Sequence, residues 1–206
     1  MRGQSPPRPR RLLNRTRMTK KPKKGDRLVW IDMEMTGLDP NACVVLEIAT
    51  IVTDADLELV AEGPDLVVHA TDVELAGMVS IVQKMHRKSG LTERVRASKM
   101  SVGEAESKTL AFVRKHCPTK GLHPICGNSI GTDRRFIAQY MPRLDKHLSY
   151  RAIDVSSIKE LAKRWHPKQY AGRPEKKKGH RALADIRESI EELRYWRSSV
   201  FVAPEA

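Results

Sequence analysis

Leu28-Val29-Trp30-Ile31-Asp32-Met33-Glu34-Met35-Thr36-Gly37 reads as a short buried strand that gains two carboxylates near its end and breaks at a glycine. In an extended chain, side chains alternate between faces. Asp32 and Glu34 therefore stand side by side, while Ile31, Met33 and Met35 face the other way. Two like charges this close repel, and one holds a proton unless a cation lies between them. The pair asks for a divalent metal, although without partners elsewhere it is better read as a solvent-facing strand end.

Around this stretch the pattern is that of a mixed α/β domain. The first strand is expected over about Arg27–Glu34, with Gly37-Leu38-Asp39-Pro40-Asn41 as a turn. Val44–Thr53 is β-branched and largely apolar, and reads as a second strand. Asp54-Ala55-Asp56 reverses the chain into Leu57–Val60, and Leu66–His69 continues as strand, so at least one antiparallel pairing is expected. Thr71 with Glu74 forms a capping-box pattern for a helix that stops at Ser89-Gly90, and Ser101 with Glu104 opens another to about Lys115. A short strand at His123–Asn128 precedes a helix bearing Phe136, Ile137, Tyr140 and Met141. Tyr150–Val155 is a further strand, and Ser156-Ser157 caps a helix to about Trp165. A Lys-rich loop, Lys168–Gly179, leads to a last helix over about Ala182–Arg197. Strands followed by alternating helices and strands predict a mixed sheet with helices on both faces, and put the end of the first strand near its centre.

The net charge of +13 is concentrated in a tail: residues 1–24 hold ten Arg and Lys and no acid, leaving +3 for the rest of the 206 residues. Residues 1–26 are expected to be a disordered basic extension, residues 27–201 the folded domain and residues 202–206 a short C-terminal tail. A basic tail contacts nucleic acid non-specifically or serves as a solubilising arm. Met18 offers an alternative start. No apolar run approaches the roughly 20 residues needed to span a bilayer, and no secretory signal is evident. Cys43, Cys117 and Cys126 match no zinc framework and are expected to be reduced thiols of a cytoplasmic protein.

Two further acidic patches join the first. Asp133 follows the turn Gly127-Asn128-Ser129, and His180-Arg181-Ala182-Leu183-Ala184-Asp185 opens the last helix. Five residues along one helix separate side chains by about 140°. His180 and Asp185 converge only if His180 lies on the preceding loop and Asp185 on the first turns.

An Asp-x-Glu pair, a mid-chain Asp and a late His-x-x-x-x-Asp in this order resemble the signature of the DEDDh 3′→5′ exonucleases. The chain is most similar to the oligoribonuclease family, through Trp30–Leu38, Gly127-Asn128-Ser129-Ile130, Tyr150-Arg151, Ile153-Asp154-Val155-Ser156 and His180–Ser189. The resemblance covers about residues 27–201 and implies a ribonuclease H-like mixed five-stranded sheet flanked by helices. It further implies that Asp32, Glu34, Asp133 and Asp185 hold two Mg²⁺ or Mn²⁺ ions, hard cations suited to carboxylate oxygens. One ion would activate the attacking water and the other would stabilise the leaving 3′-oxygen. His180 would accept the water's proton.

The family prefers two-nucleotide RNA and completes the turnover of RNA and of cyclic dinucleotides, releasing nucleoside 5′-monophosphates. By the same resemblance Ser129, Arg151, Ser156 and His86 would cap the substrate's 5′ phosphate, Leu38 would wedge against the bases and Tyr150 would reach the scissile phosphate. The cap and the Tyr come partly from a second subunit in this family, so a homodimer is implied. Ile81, or Val82, stands where many relatives have a base-stacking Trp. Singly, each residue has a plainer reading: Asp133 as a first-turn acid, His180 as a loop histidine, Ser129 and Ser156 as helix caps. Two alternatives remain open at this point: a broader DEDDh exonuclease acting on RNA or DNA ends, and a non-catalytic RNA-binding protein using the tail.

Overall fold

A computed structural model of the chain describes residues 27–175 and 179–202. The basic extension, Lys176-Lys177-Lys178 and residues 203–206 lie outside them, and so do the expectations placed there. The elements are β1 (Leu28–Met35), β2 (Val45–Thr53), β3 (Leu59–Val67), α1 (Asp72–Ala76), α2 (Ser80–Lys88), α3 (Leu91–Ala97), α4 (Val102–His116), β4 (Ile125–Gly127), α5 (Gly131–Tyr140), α6 (Pro142–Asp145), β5 (Ala152–Asp154), α7 (Val155–Trp165), α8 (Pro167–Ala171) and α9 (Ala182–Ser199).

The strands form one mixed five-stranded sheet in the order β3-β2-β1-β4-β5. β1–β2 and β2–β3 are antiparallel, whereas β1–β4 and β4–β5 are parallel. The three parallel strands thus end along one edge, and β1 is central, as its sequence implies.

The alternation along β1 divides the core. Val29, Ile31 and Met33 pack with residues of α4, α5 and α6, while Trp30 packs on the opposite face with Ala49, Ile51 and residues of α7 and α9. Trp30 is fully buried and its Nε1 donates to Thr53 Oγ1 at 2.9 Å, so the ring is anchored as well as packed. Following the period of two, Asp32 and Glu34 fall on the α9 face. Helix placement, rather than any local preference of the acids, therefore decides what they meet.

Where expectation and structure differ, tertiary contacts account for the difference. Leu57–Val60 and Leu66–His69 belong to the region of one strand, β3, which carries Gly63-Pro64 through a register shift. β3 is an edge strand, where a proline removes no ladder bond. The single helix expected from Asp72 to Ser89 is two, because the chain turns at Gly77 and buries Met78. Gln83 Nε2 donates to the carbonyls of Ala76 (3.1 Å) and Met78 (2.8 Å) that the break leaves over. Both capping boxes, at Thr71 and Ser101, are formed. Helix α7 is capped by Asp154, whose carboxylate accepts from the Ser156 amide, and not by Ser156-Ser157. The helices α3, α6 and α8 lay outside the expected set. α6 and α8 each open on a proline, and α3 follows Gly90, which takes the left-handed conformation at φ 73°.

Candidate active site

Three elements deliver the four acids. Asp32 and Glu34 come from the end of β1, Asp133 from the first turn of α5, and Asp185 from the first turn of α9. His180 lies on the segment before α9 in the left-handed region (φ 49°), as convergence with Asp185 requires. One ligand atom each from Glu34, His180 and Asp185 all lie within 4.8 Å of one another. Asp133 is tied to the same strand, since its Oδ1 accepts from the Met33 amide at 3.0 Å.

Burial in this site raises the proton affinity of Glu34 and Asp133. Burial, then the charges of Asp185, Glu47 and Asp133, push the Glu34 carboxyl up to about 8. Burial pushes Asp133 up to about 7, opposed by backbone hydrogen bonds that include the Met33 amide. Carboxylates held where they resist ionisation are stabilised by a cation, and an oxygen-rich set with one imidazole and no thiolate fits a hard divalent ion. The residues present therefore fit the metals that the resemblance implies.

The substrate-binding candidates fall into five places. Ser129 and Ser156 meet: the Ser129 amide donates to Ser156 Oγ (2.9 Å) and to Asp154 Oδ1 (3.0 Å), and the two hydroxyls are 3.2 Å apart. His86 is fully buried beside the carboxylates. Its Nε2 donates to the Met35 carbonyl at 2.9 Å, and its Nδ1 lies 3.8 Å from Glu34 Oε2. Burial lowers the His86 pKa, which favours the neutral ring. Tyr150 and Arg151 are exposed, the guanidinium lying 4.8 Å from the Tyr150 ring centroid. Leu38 is 71% exposed on a turn that α5 holds: Arg135 Nη2 donates to the Leu38 carbonyl (3.2 Å), and the Tyr140 hydroxyl to those of Pro40 (3.1 Å) and Cys43 (2.7 Å). Ile81 is 75% exposed on the first turn of α2.

Two polar residues outside the expected set connect these places. Asn128 accepts from Ser156 Oγ (3.0 Å) and donates to Ser189 Oγ (2.8 Å), which in turn donates to the carbonyl of Asp185 (2.8 Å). Glu47 on β2 is buried opposite Glu34 in the sheet register. Its only sequence signal is a lone charge in a nine-residue strand that is buried throughout.

A mixed sheet whose central strand ends beside converging Glu34, His180 and Asp185, with Asp133 bonded to the same strand, points to the nuclease class. The family model described as exonuclease (RNase_T) matches residues 29–193. The chain is 56% identical over 177 residues to an oligoribonuclease of Rhodococcus jostii, covering 86% of this chain and 89% of the relative. It is 57% identical over 178 residues to one of Corynebacterium glutamicum, covering 86% and 81%. Among solved structures, exonuclease I superposes with a TM-score of 0.63 at 15% identity, over 85% of this chain and 41% of the other. Exonuclease I of Methylocaldum szegediense gives 0.58 at 18%, over 84% and 41%. The chain spans about two fifths of those longer proteins, and at these identities they show the fold alone. The chain belongs to the oligoribonuclease family of exonucleases.

Proposed function

We propose that the chain is a 3′→5′ exoribonuclease of short RNA whose preferred substrate is the dinucleotide, cleaved to nucleoside 5′-monophosphates. The short-RNA activity follows from family membership. The observation that carries the site reading is the convergence of Glu34, His180 and Asp185, with Asp133 tied to the same strand.

Asp32, Glu34, Asp133 and Asp185 would hold two divalent ions, Mg²⁺ or Mn²⁺, which when bound supply an activated water and charge neutralisation at the leaving oxygen. His180, half-buried, takes the water's proton as general base. Its left-handed backbone lets the ring enter the site from the loop side while Asp185 enters from the helix.

At the other end, the Ser129 hydroxyl, held by Ser156, offers a donor to a 5′ phosphate, and Arg151 supplies a fork for its oxygens. Leu38 wedges the bases and Ile81 packs against the 3′ base, while His86, buried beside Glu34, fixes that side of the pocket instead of joining the phosphate cap. The high exposure of Tyr150, 80%, suits a side chain that is completed by a second copy of the chain, reaching the scissile phosphate of its neighbour. The working unit proposed is therefore a homodimer. The setting proposed with it is the cytoplasm, where thiols such as the three free cysteines stay reduced. Linear products of cyclic-dinucleotide breakdown are substrates in the same way. The basic tail adds at most a non-specific nucleic-acid contact, so deletion of residues 1–24 should leave hydrolysis intact.

The test compares 5′-phosphorylated dinucleotides with seven-nucleotide RNA under Mg²⁺. A higher kcat/KM for the dinucleotide is expected, and an equal or higher value for the longer strand would sink the dinucleotide claim.

A further inference from the structure

We propose that Glu47 is a positioning residue for the reaction, acting through Arg181 to fix His180 and the first turn of α9 against Glu34. The proposal rests on the roles assigned above to His180 and Asp185.

Glu47 has 0% exposure, and burying a carboxylate is strongly unfavourable unless charge and hydrogen bonds compensate it. Here the compensation comes largely from the catalytic segment. Arg181 forks onto the carboxylate, with Nε at 3.0 and 3.2 Å from its two oxygens and Nη2 at 2.7 Å from Oε1. The Ala182 amide donates to Oε2 at 3.0 Å. Arg94 of α3 approaches Oε1 at 3.4 Å from a half-exposed position, and Asp65 Oδ2 of β3 lies 3.6 Å from the same Nη2 of Arg181.

The consequence lies in where these contacts fall. Arg181 is the N-cap residue of α9, yet its side chain makes no cap hydrogen bond. Glu47 takes over that function from another element: it accepts from the first helical amide and puts a negative charge at the helix N-terminus. Asp185 lies three residues further along the same turn. On the other side, His180 immediately precedes Arg181 and holds a left-handed backbone, a conformation that persists in a non-glycine residue when its surroundings dictate it. The fork onto Glu47 lies one residue away. Because β2 pairs Glu47 directly with Glu34, one strand register sets the distance between a metal-binding candidate and the general base.

A pair that merely docks α9 would predict lost thermal stability without any special relation to His180. The full-length protein separates the two through a double-mutant cycle. kcat and KM on short RNA at saturating Mg²⁺ are measured for wild type, Glu47→Gln, His180→Ala and the double variant, with Mn²⁺ affinity measured calorimetrically without substrate. Glu47→Gln should lower kcat ~10- to 100-fold with KM within about threefold, and weaken Mn²⁺ binding severalfold. The loss on adding His180→Ala should be at least about tenfold smaller in the Glu47→Gln background than in wild type. Fully additive losses, or a kcat within about twofold of wild type despite a lowered Tm, would overturn the proposal. If Glu47→Gln does not fold, Arg181→Lys keeps the charge but breaks the fork, and runs through the same cycle with the same criteria. An unaltered rate in His180→Ala alone would instead overturn the assignment of the base, a result distinct from additivity.

Discussion

At the catalytic corner, Glu34 and Asp133 are buried carboxyls raised to about 8 and about 7, whereas Ser129, Tyr150 and Arg151 at the candidate phosphate end are exposed. The first region is built from the ends of core elements, and its charges resist their own environment. The second is built from hydroxyls and an arginine on the surface, joined to the first through Asn128 and Ser189. Low dielectric concentrates electrostatic work in the first region, and solvent access leaves the second to be shaped by its substrate. Substitutions should therefore act on rate at one end and on length selection at the other.

The largest effect expected is from Asp185→Ala. Removing one carboxylate of the four should lower kcat on short RNA by about three orders of magnitude or more, because positioning and charge neutralisation fail together. Initial rates at several Mg²⁺ concentrations check this, and a variant retaining more than a tenth of the wild-type rate would remove Asp185 from the metal set.

Next comes stability in the metal-free protein. Glu34 has its folded pKa at about 8, above its ordinary value of 4.5. Such a group favours the folded state fully below the unfolded value, and that contribution disappears as pH rises through the folded one. Metal-free wild type should thus lose stability relative to Glu34→Gln between about pH 4.5 and pH 8, and the variant should melt ~5 °C higher at pH 8.5. Adding Mn²⁺ should reverse the ranking, since only the wild type keeps its full set of carboxylates. Melting curves across that pH range that run parallel for the two proteins would contradict the buried, proton-holding state of Glu34.

The same contrast governs what can be read from sequence. The meeting of Glu34, His180 and Asp185, with Asp133 bonded to the same strand, is legible because a strand period, a helix start and a fixed order constrain them at once. The division of β1 into Val29, Ile31 and Met33 against Trp30 follows from the same period. Other features depend on contacts distant in sequence. The break at Gly77 needs the burial of Met78, and the continuity of β3 through Pro64 needs its edge position. Asp154 displaces Ser156 as the cap of α7 because one carboxylate serves both the Ser129 and Ser156 amides. Glu47 is the hardest of these. A charge inside an apolar strand announces that something must pair with it, but Arg181 lies 134 residues away.

Arg151→Ala tests the exposed end. Loss of a forked charge on a phosphate should raise KM for a 5′-phosphorylated dinucleotide by ~10- to 50-fold while leaving kcat within about threefold. The seven-nucleotide substrate should change little, so the preference for the dinucleotide should shrink. An equal loss on both substrates would place Arg151 outside length selection.

The smallest effect should come from a gain. Ile81 offers an exposed aliphatic surface at the start of α2, and in the proposed complex it would pack against a base without the π-face that stacking uses. Stacking on an aromatic ring is worth ~1–3 kcal/mol per base, and the exposed position argues for the lower end. Ile81→Trp should then lower KM for dinucleotides about fivefold, with purine-ended substrates gaining most from their larger rings. Because α2 also carries His86, which packs beside Glu34, a rise in KM together with a fall in kcat would mean that the new ring shifts the helix rather than grips the base. A fall in KM at constant kcat would separate base grip from the carboxylate corner, and would show that the exposed end can be tuned while the buried end stays fixed.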